Sequence, residues 1–141
     1  MKRLYALALL LSPVLFFGCS KDFLKSYDNR IIGTWRITNV NKVGLGGNSN
    51  NLPFTSGTFT FHENGSLSYV NSANVSFTGS WQIDRTEIND QTVRRLQITA
   101  IDFSNQELLS EFYDDMNFTS TNHFKANINS GFHTYVTHFH R

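Results

Sequence analysis

An unbroken alternation of apolar and polar residues runs through residues 75–84, VSFTGSWQID. Five apolar or small residues alternate there with five polar ones, which is the period of a β-strand that buries one face and exposes the other. Residues 75–84 are therefore predicted to form a half-buried strand. Most of the chain's aromatic residues also lie in alternating runs, so we expect a core built from β-sheet.

A β-hairpin is predicted over residues 56–70, around a Glu-Asn-Gly sequence that ends at Gly65. A two-residue turn would place Phe61 opposite Ser68 and so mix an apolar and a polar residue on one face. A three-residue loop keeps four apolar residues on one face. Its pairs are Phe61 with Leu67 and Phe59 with Tyr69. We predict this second register, with Gly65 in the left-handed conformation of a bulged turn.

Five further strands are expected, and with those at 56–62, 66–71 and 75–84 they make eight. They lie at residues 33–42, 93–103, 116–120, 123–129 and 132–140. The apolar phase slips after Ile37 in the first strand and after Ala100 in the fifth. Such slips predict bulges, which bend strands around a closed barrel.

One short helix is predicted near residues 105–114, within the sequence SNQELLSEFYDD. Ser104 and Glu107 fit a capping box. Three apolar residues then fall on one helical face: Leu108, Leu109 and Phe112. We expect this helix to close one end of the sheet. Asp114 and Asp115 would diverge into solvent at the end of the helix, so they are not expected to form a catalytic carboxylate pair.

The predicted fold class is all-β, an antiparallel up-and-down barrel of about eight strands with one short helix. Residues 31–141 are long enough to form one domain that buries its own core. A barrel of this size encloses room for side chains or for one small ligand.

The N-terminal residues have the features of a lipoprotein export signal. Lys2 and Arg3 precede an apolar run that is too short to span a membrane as a helix. The run ends in FFGC, whose Cys19 is the only cysteine in the chain. This resembles the lipobox of bacterial lipoproteins, and the alternative is a plain buried or reactive thiol. We predict three segments: a signal peptide at 1–18, a lipidated N-terminus and tether at 19–30, and the folded domain at 31–141.

Lipidation of Cys19 would anchor the protein to a membrane, because several acyl chains together bind stably whereas one chain binds only marginally. The next residue is Ser20 rather than an aspartate, which by analogy with such lipoproteins predicts sorting to the outer membrane. After residues 1–18 are removed, 10 basic and 11 acidic residues remain. This balance gives no indication of nucleic-acid binding.

Sequence motifs for catalysis are weak. There is no G-x-S-x-G, and residues 44–47 are not a phosphate-binding loop, because they lack both the Lys-Ser/Thr pair and a following helix. His138 and His140 would share one face of a strand, close enough to bind one metal ion, but His133 falls on the opposite face. Exposed strand histidines are the preferred interpretation of these residues and of His62 and His123. We therefore predict no enzyme activity, no cofactor and no metal.

Several short motifs, taken in order, resemble a known family. Gly33-Thr34-Trp35 opens the first strand, and it is followed by FTFHENGSLSYV, GSWQID and the terminal YVTHFHR. Behind a lipobox, this order is similar to the lipocalin-like lipoprotein domains of Bacteroidetes over residues 31–141. The predicted helix and the lack of C-terminal cysteines depart from the lipocalin pattern.

The resemblance implies a small β-barrel whose open end holds an apolar or amphiphilic ligand. It also implies that Trp35 packs across the floor, and that residues 44–51 either cover the mouth or simply connect two strands. Six residues would line a pocket or, alternatively, fill the interior: Phe59, Phe61, Leu67, Tyr69, Phe77 and Trp81.

Two functions follow from these predictions. The first is a membrane-anchored, non-catalytic binding module for an apolar or amphiphilic small molecule. The second is a protein-interaction or accessory subunit of a cell-envelope complex, with a filled barrel and an exposed set of loops and strand edges.

Overall fold

The computed structural model describes residues 25–46 and 51–141. In these two ranges it contains helix α1, Tyr27–Ile31, and nine strands. The strands are β1 Gly33–Gly44, β2 Thr58–Phe61, β3 Ser66–Val70, β4 Ser76–Ile88, β5 Gln91–Asp102, β6 Glu107–Tyr113, β7 Asp115–Ser120, β8 His123–Ser130 and β9 His133–His140. Cys19, the predicted signal peptide at 1–18 and loop residues 47–50 lie outside the described residues. Within the described ranges, no helix has the length and apolar character needed to cross a membrane.

All nine strands belong to one antiparallel sheet, in the order β6-β5-β4-β3-β2-β1-β9-β8-β7. Strands that follow one another along the chain pair with each other, apart from β6 and β7, and β1 also pairs with β9. The prediction of an all-β, antiparallel up-and-down fold is confirmed. The hydrogen-bonded ladder is open between β6 and β7, so the closed barrel stays a prediction.

The sheet curls strongly around one core. Tyr113 of β6 and Phe139 of β9 have ring centroids 6.1 Å apart, although five strands separate them in the sheet. Asp114 alone links the edge strands β6 and β7. Its N–H donates to the Asn127 carbonyl of β8 at 2.8 Å, and its carboxylate accepts from the Asn129 N–H at 2.7 Å. This corner therefore brings the two edges of the sheet next to each other.

The predicted hairpin register is confirmed. Phe61 pairs with Leu67 and Phe59 with Tyr69 across β2 and β3. Gly65 has φ of 79°, the left-handed conformation that a bulged turn requires and that glycine adopts without a Cβ clash. The need to keep apolar side chains on one face was therefore sufficient to select the register.

One of the two predicted bulges is present. The pairing of β1 with β9 shifts between Ile37 and Asn39, where the apolar phase slips in the sequence. The bulge predicted in β5 is wrong, because β5 pairs with β4 and β6 in unbroken register. The buried row of β5 ends with Asp102 instead, and Phe103 is 76% exposed in the turn that follows.

The helix predicted near residues 105–114 is wrong, because Glu107–Tyr113 forms strand β6. The Asp102 carboxylate accepts hydrogen bonds from the Ser104 N–H at 2.8 Å and from the Asn105 side chain at 2.6 Å. These bonds stabilise a turn in place of a helix N-terminus, and Gln106 has a non-helical φ of 55°. The three residues predicted to share one helical face lie on different faces of strand β6. Leu109 faces inward, whereas Leu108 and Phe112 are exposed.

Helix α1 lies where a tether was predicted. The Ser26 side chain accepts a hydrogen bond from the Asn29 N–H at 3.4 Å, and Ile31 is fully buried. The Tyr27 ring packs against Phe118 of β7 with centroids 5.1 Å apart. Residues 27–30 therefore belong to the folded domain rather than to the tether.

The core lies on the inner face of the curled sheet and receives buried apolar side chains from all nine strands. Because the strands alternate in direction, the sheet has two ends. The α1 end comprises α1, the turns at 62–65, 89–90 and 121–122, and Arg141. The far end comprises the end of β1 at Gly44 and the turns at 71–75, 103–106 and 131–132.

Candidate functional site

The six residues predicted to bind an apolar ligand lie together on the inner face of β2, β3 and β4. Each of them is at most 9% exposed. Their rings contact one another, with centroids 4.4 Å apart for Phe59 and Tyr69, 5.7 Å for Phe61 and Trp81, and 5.4 Å for Tyr69 and Phe77. Phe54 adds a further ring 5.3 Å from Phe59. The aromatic side chains of this cluster therefore pack directly against one another.

The polar atoms of this cluster bond to the protein's own backbone. The Trp81 indole N–H donates to the His62 carbonyl at 3.0 Å, and the Tyr69 hydroxyl donates to the Ser56 carbonyl at 2.9 Å. Burial raises the pKa of the Tyr69 phenol, and the charge of Glu107 raises it further. Both bonds fix the rings in place and leave neither polar atom aimed at a ligand.

Trp35 lies at the α1 end of the core and is fully buried. Its indole N–H donates to the Ile31 carbonyl at 2.6 Å. The guanidinium of Arg141 lies 4.5 Å from the ring centre and donates to the Arg30 carbonyl at 2.9 Å. Trp35 thus joins α1, the first strand and the C-terminal residue.

The interior also holds polar groups that the sequence analysis did not identify. Tyr113 Oη and Thr137 Oγ1 are buried, and neither forms a hydrogen bond of regular geometry in the described part of the chain, although the two hydroxyls face each other. Burial raises the pKa of Tyr113. Burial likewise raises the pKa of the neighbouring Glu111 carboxyl, which faces inward on β6.

His138 and His140 lie on the outer face of β9, as predicted, and His123 of β8 joins them. The nearest ring nitrogens of His138 and His123 are 3.4 Å apart, and the His123 and His140 ring centroids are 6.1 Å apart. Burial lowers the pKa of His138, and the charges of Lys125 and His123 lower it further. Within residues 25–46 and 51–141, no three or more His, Cys, Asp or Glu side chains are arranged to hold a metal ion.

Three of the exposed apolar side chains at the far end lie on neighbouring backbone segments. Val43 is 61% exposed, Leu45 is 83% exposed and Phe132 is 89% exposed, and we call them the apolar tip. The Leu45 N–H donates to the Phe132 carbonyl at 3.1 Å. Gly44 has φ of 105°, and a Cβ there would lie 2.3 Å from that carbonyl oxygen, so only glycine permits this approach.

At the α1 end, a groove of about 410 Å³ separates α1 from β4 and β5. Four cationic residues line it, Lys25, Arg30, Arg85 and Arg94, and we call it the arginine groove. Asp28 is the acidic residue in its lining, and Tyr27 and Ile83 add apolar surface. The groove is concave and positively charged, whereas the apolar tip is convex and uncharged.

The sequence analysis missed both surfaces, although weak signals for them existed. Phe132 directly follows Gly131 and opens the strand predicted at residues 132–140, so its side chain lies at a strand end rather than within the alternating run. Asn89-Asp90 sits between alternating segments and marks a tight turn that places Arg85 near Arg94. Comparison of the chain with known protein families, with curated proteins and with solved structures finds no match.

Proposed function

We propose that this protein is a lipid-anchored, non-catalytic interaction module of the bacterial cell envelope. Three sequence features support the anchor: a short apolar run, the FFGC motif and the single Cys19, which would carry palmitate or a similar acyl chain at the outer membrane. The order of strand motifs supports a lipocalin-like barrel, and the curled antiparallel sheet is compatible with that fold.

The contrast between the packed aromatic cluster on the inner face of β2, β3 and β4 and the exposed apolar tip supports the proposal. The six candidate pocket residues contact one another and bond to backbone, whereas Leu45 and Phe132 are 83% and 89% exposed. An apolar cluster on adjacent segments is typical of a binding surface. β1 runs from α1 to the tip, a length of roughly 35 Å, so the tip lies far from the segment that leads to Cys19. We therefore propose that its partner is an envelope protein with an apolar docking surface, rather than the anchoring membrane.

A second candidate is the binding of an apolar or amphiphilic small molecule inside the sheet. The buried hydroxyls of Tyr113 and Thr137 favour it, because buried polar groups are normally hydrogen-bonded and a ligand's polar group would satisfy both. Because the aromatic side chains pack against one another, such a molecule would bind beside Glu111 rather than among the phenylalanines.

Site-specific photo-crosslinking in the source cells tests the interaction proposal. A photoreactive residue in place of Phe132 should give one discrete crosslinked protein. The matched control is a photoreactive residue in place of Ile88, which is 41% exposed but lies at the α1 end, and it should not give that product. Equal products from both positions, no product from position 132, or a product of two copies of this chain would contradict the proposal.

The anchor has its own test. Cys19→Ala should abolish labelling by fed palmitate and release the protein from the membrane fraction. A variant that stays labelled and membrane-bound would show that Cys19 does not carry the lipid. Phe132→Asp is the control, because it should leave labelling and membrane association unchanged.

A further inference from the structure

Two arginines lie directly opposite each other at the α1 end of the sheet. Arg85 of β4 is the register partner of Arg94 of β5. They continue the inner-face rows of their strands, since Ile83 pairs with Leu96 two residues further into the sheet. Like charges directly opposite each other destabilise an antiparallel pair. A group that compensates this charge would therefore stabilise the pairing of the two strands.

The contacts in the described residues compensate the charge only in part. The Arg94 guanidinium lies 3.9 Å from the centre of the Tyr27 ring, and such a contact stabilises a cation without neutralising it. Arg85 approaches Glu87 at 3.8 Å, but these side chains are 69% and 73% exposed. An ion pair in that setting contributes little. Positive charge therefore remains between the two strands.

The space in front of the two arginines suits an anion. Lys25 and Arg30 of the α1 segment also line the arginine groove, although the Arg30 guanidinium packs over the Phe118 ring at 4.1 Å. The lining of this groove of about 410 Å³ therefore holds four cationic residues and the single carboxylate of Asp28. A concave surface lined by one sign of charge attracts counter-ions. The planar fork of each guanidinium matches phosphate oxygens in two parallel hydrogen bonds.

We propose that the arginine groove binds a phosphate-bearing anion whose oxygens bridge Arg85 and Arg94. Inorganic phosphate and the phosphodiester of a lipid headgroup share this chemistry. Position favours the headgroup, because Lys25 lies six residues after Cys19 and so within about 21 Å of it. That preference rests on the proposed lipid anchor, whereas the anion site itself does not.

An NMR titration of the full-length protein in non-ionic detergent micelles tests the site, with inorganic phosphate in one arm and dihexanoyl phosphatidylglycerol in the other. We expect saturable shifts in the signals of Tyr27, Arg85 and Arg94. The double variant Arg85→Gln/Arg94→Gln should weaken binding at least about tenfold, because hydrogen bonds to charged groups are strong. Lys42→Glu, at the far end, lowers the net charge by the same two units and should leave binding unchanged.

Tighter binding of the lipid than of phosphate would support the headgroup as the source. Equal binding of both would support the anion site and overturn the headgroup. The absence of saturable shifts would overturn the site. Equal weakening of binding by Lys42→Glu and by the double variant would also overturn it. A thermal unfolding scan in phosphate-free buffer checks that the double variant is folded. We expect no loss of stability, because the two substitutions remove like charges that face each other. If the double variant is unfolded, the single variant Arg85→Gln takes its place in the titration, because this variant retains the contact between Arg94 and Tyr27.

Discussion

The α1 end and the far end of the sheet use their aromatic and apolar side chains in opposite ways. At the α1 end, Trp35 is fully buried, with the Arg141 guanidinium over its ring. At the far end, Leu45 and Phe132 are 83% and 89% exposed. Apolar surface left in water contributes nothing to the stability of the isolated domain. The difference therefore separates an end that holds the fold together from an end that is available to a partner.

Two substitutions, one at each end, test this difference, and they have the largest expected effect on the free energy of unfolding. Trp35→Ala should lower the free energy of unfolding by about 3–5 kcal/mol, because it removes a buried indole and leaves a cavity. Phe132→Ala should change it by no more than about 0.5 kcal/mol, since the side chain is exposed. Urea unfolding followed by circular dichroism measures both. Similar losses from the two variants would refute the division between the ends.

The far end is exposed, but its backbone is tightly constrained. Gly44→Ala should cost about 1–3 kcal/mol, because φ of 105° is strained for alanine and the new Cβ would meet the Phe132 carbonyl oxygen. Gly46→Ala is a useful control, because φ is 72° there but a Cβ would meet nothing within 4 Å. A larger loss at Gly46 than at Gly44 would show that strain, rather than the close approach of the two segments, decides the cost.

The sequence predicted the strands best where burial alternates along them. The alternation at residues 75–84 and the facing of four apolar residues across the hairpin were enough to predict β4 and the pairing of β2 with β3. The capping-box pattern failed because Ser104, Glu107 and the following apolar residues are compatible with a helix or a strand. The choice depends on the Asp102 turn and on pairing with β5, which are not local properties of that segment.

The candidate surfaces were harder to predict, for the same reason. Arg85 and Arg94 become neighbours only because β4 extends to Ile88 and β5 begins at Gln91, beyond the boundaries predicted from the pattern. The apolar tip depends on β1 reaching the turn before β9. The six aromatic and aliphatic candidates were correctly placed on one face, but a pattern of buried positions does not distinguish a pocket lining from a filled core.

The free energy of unfolding should also depend on pH, through one group near each end of the sheet and in two different pH ranges. These changes are the smallest of the expected effects. Burial keeps the pKa of His138 below its ordinary value, so the unfolded chain binds a proton more readily and stability falls as the pH is lowered through about 6.5. At the far end, hydrogen bonds from Asn105 and Ser104 lower the pKa of Asp102. Its contribution is therefore complete above pH 3.8 and is lost below that value.

Urea midpoints measured from pH 8 to about pH 2 separate these two steps. His138→Gln should flatten the step near neutral pH and leave the acidic step, whereas Asp102→Asn should do the reverse. A profile in which His138→Gln alters only the acidic step would contradict the assignment of the two groups to their ranges.

Native mass spectrometry of the intact protein, extracted from the membranes of its source cells, tests the central claim most directly. A filled interior and a working apolar tip predict the mass of the acylated chain, alone or with a bound protein that is lost in Phe132→Asp. A small organic molecule retained in equal amount with the chain, and unaffected by Phe132→Asp, would contradict the claim and favour the interior as the binding site.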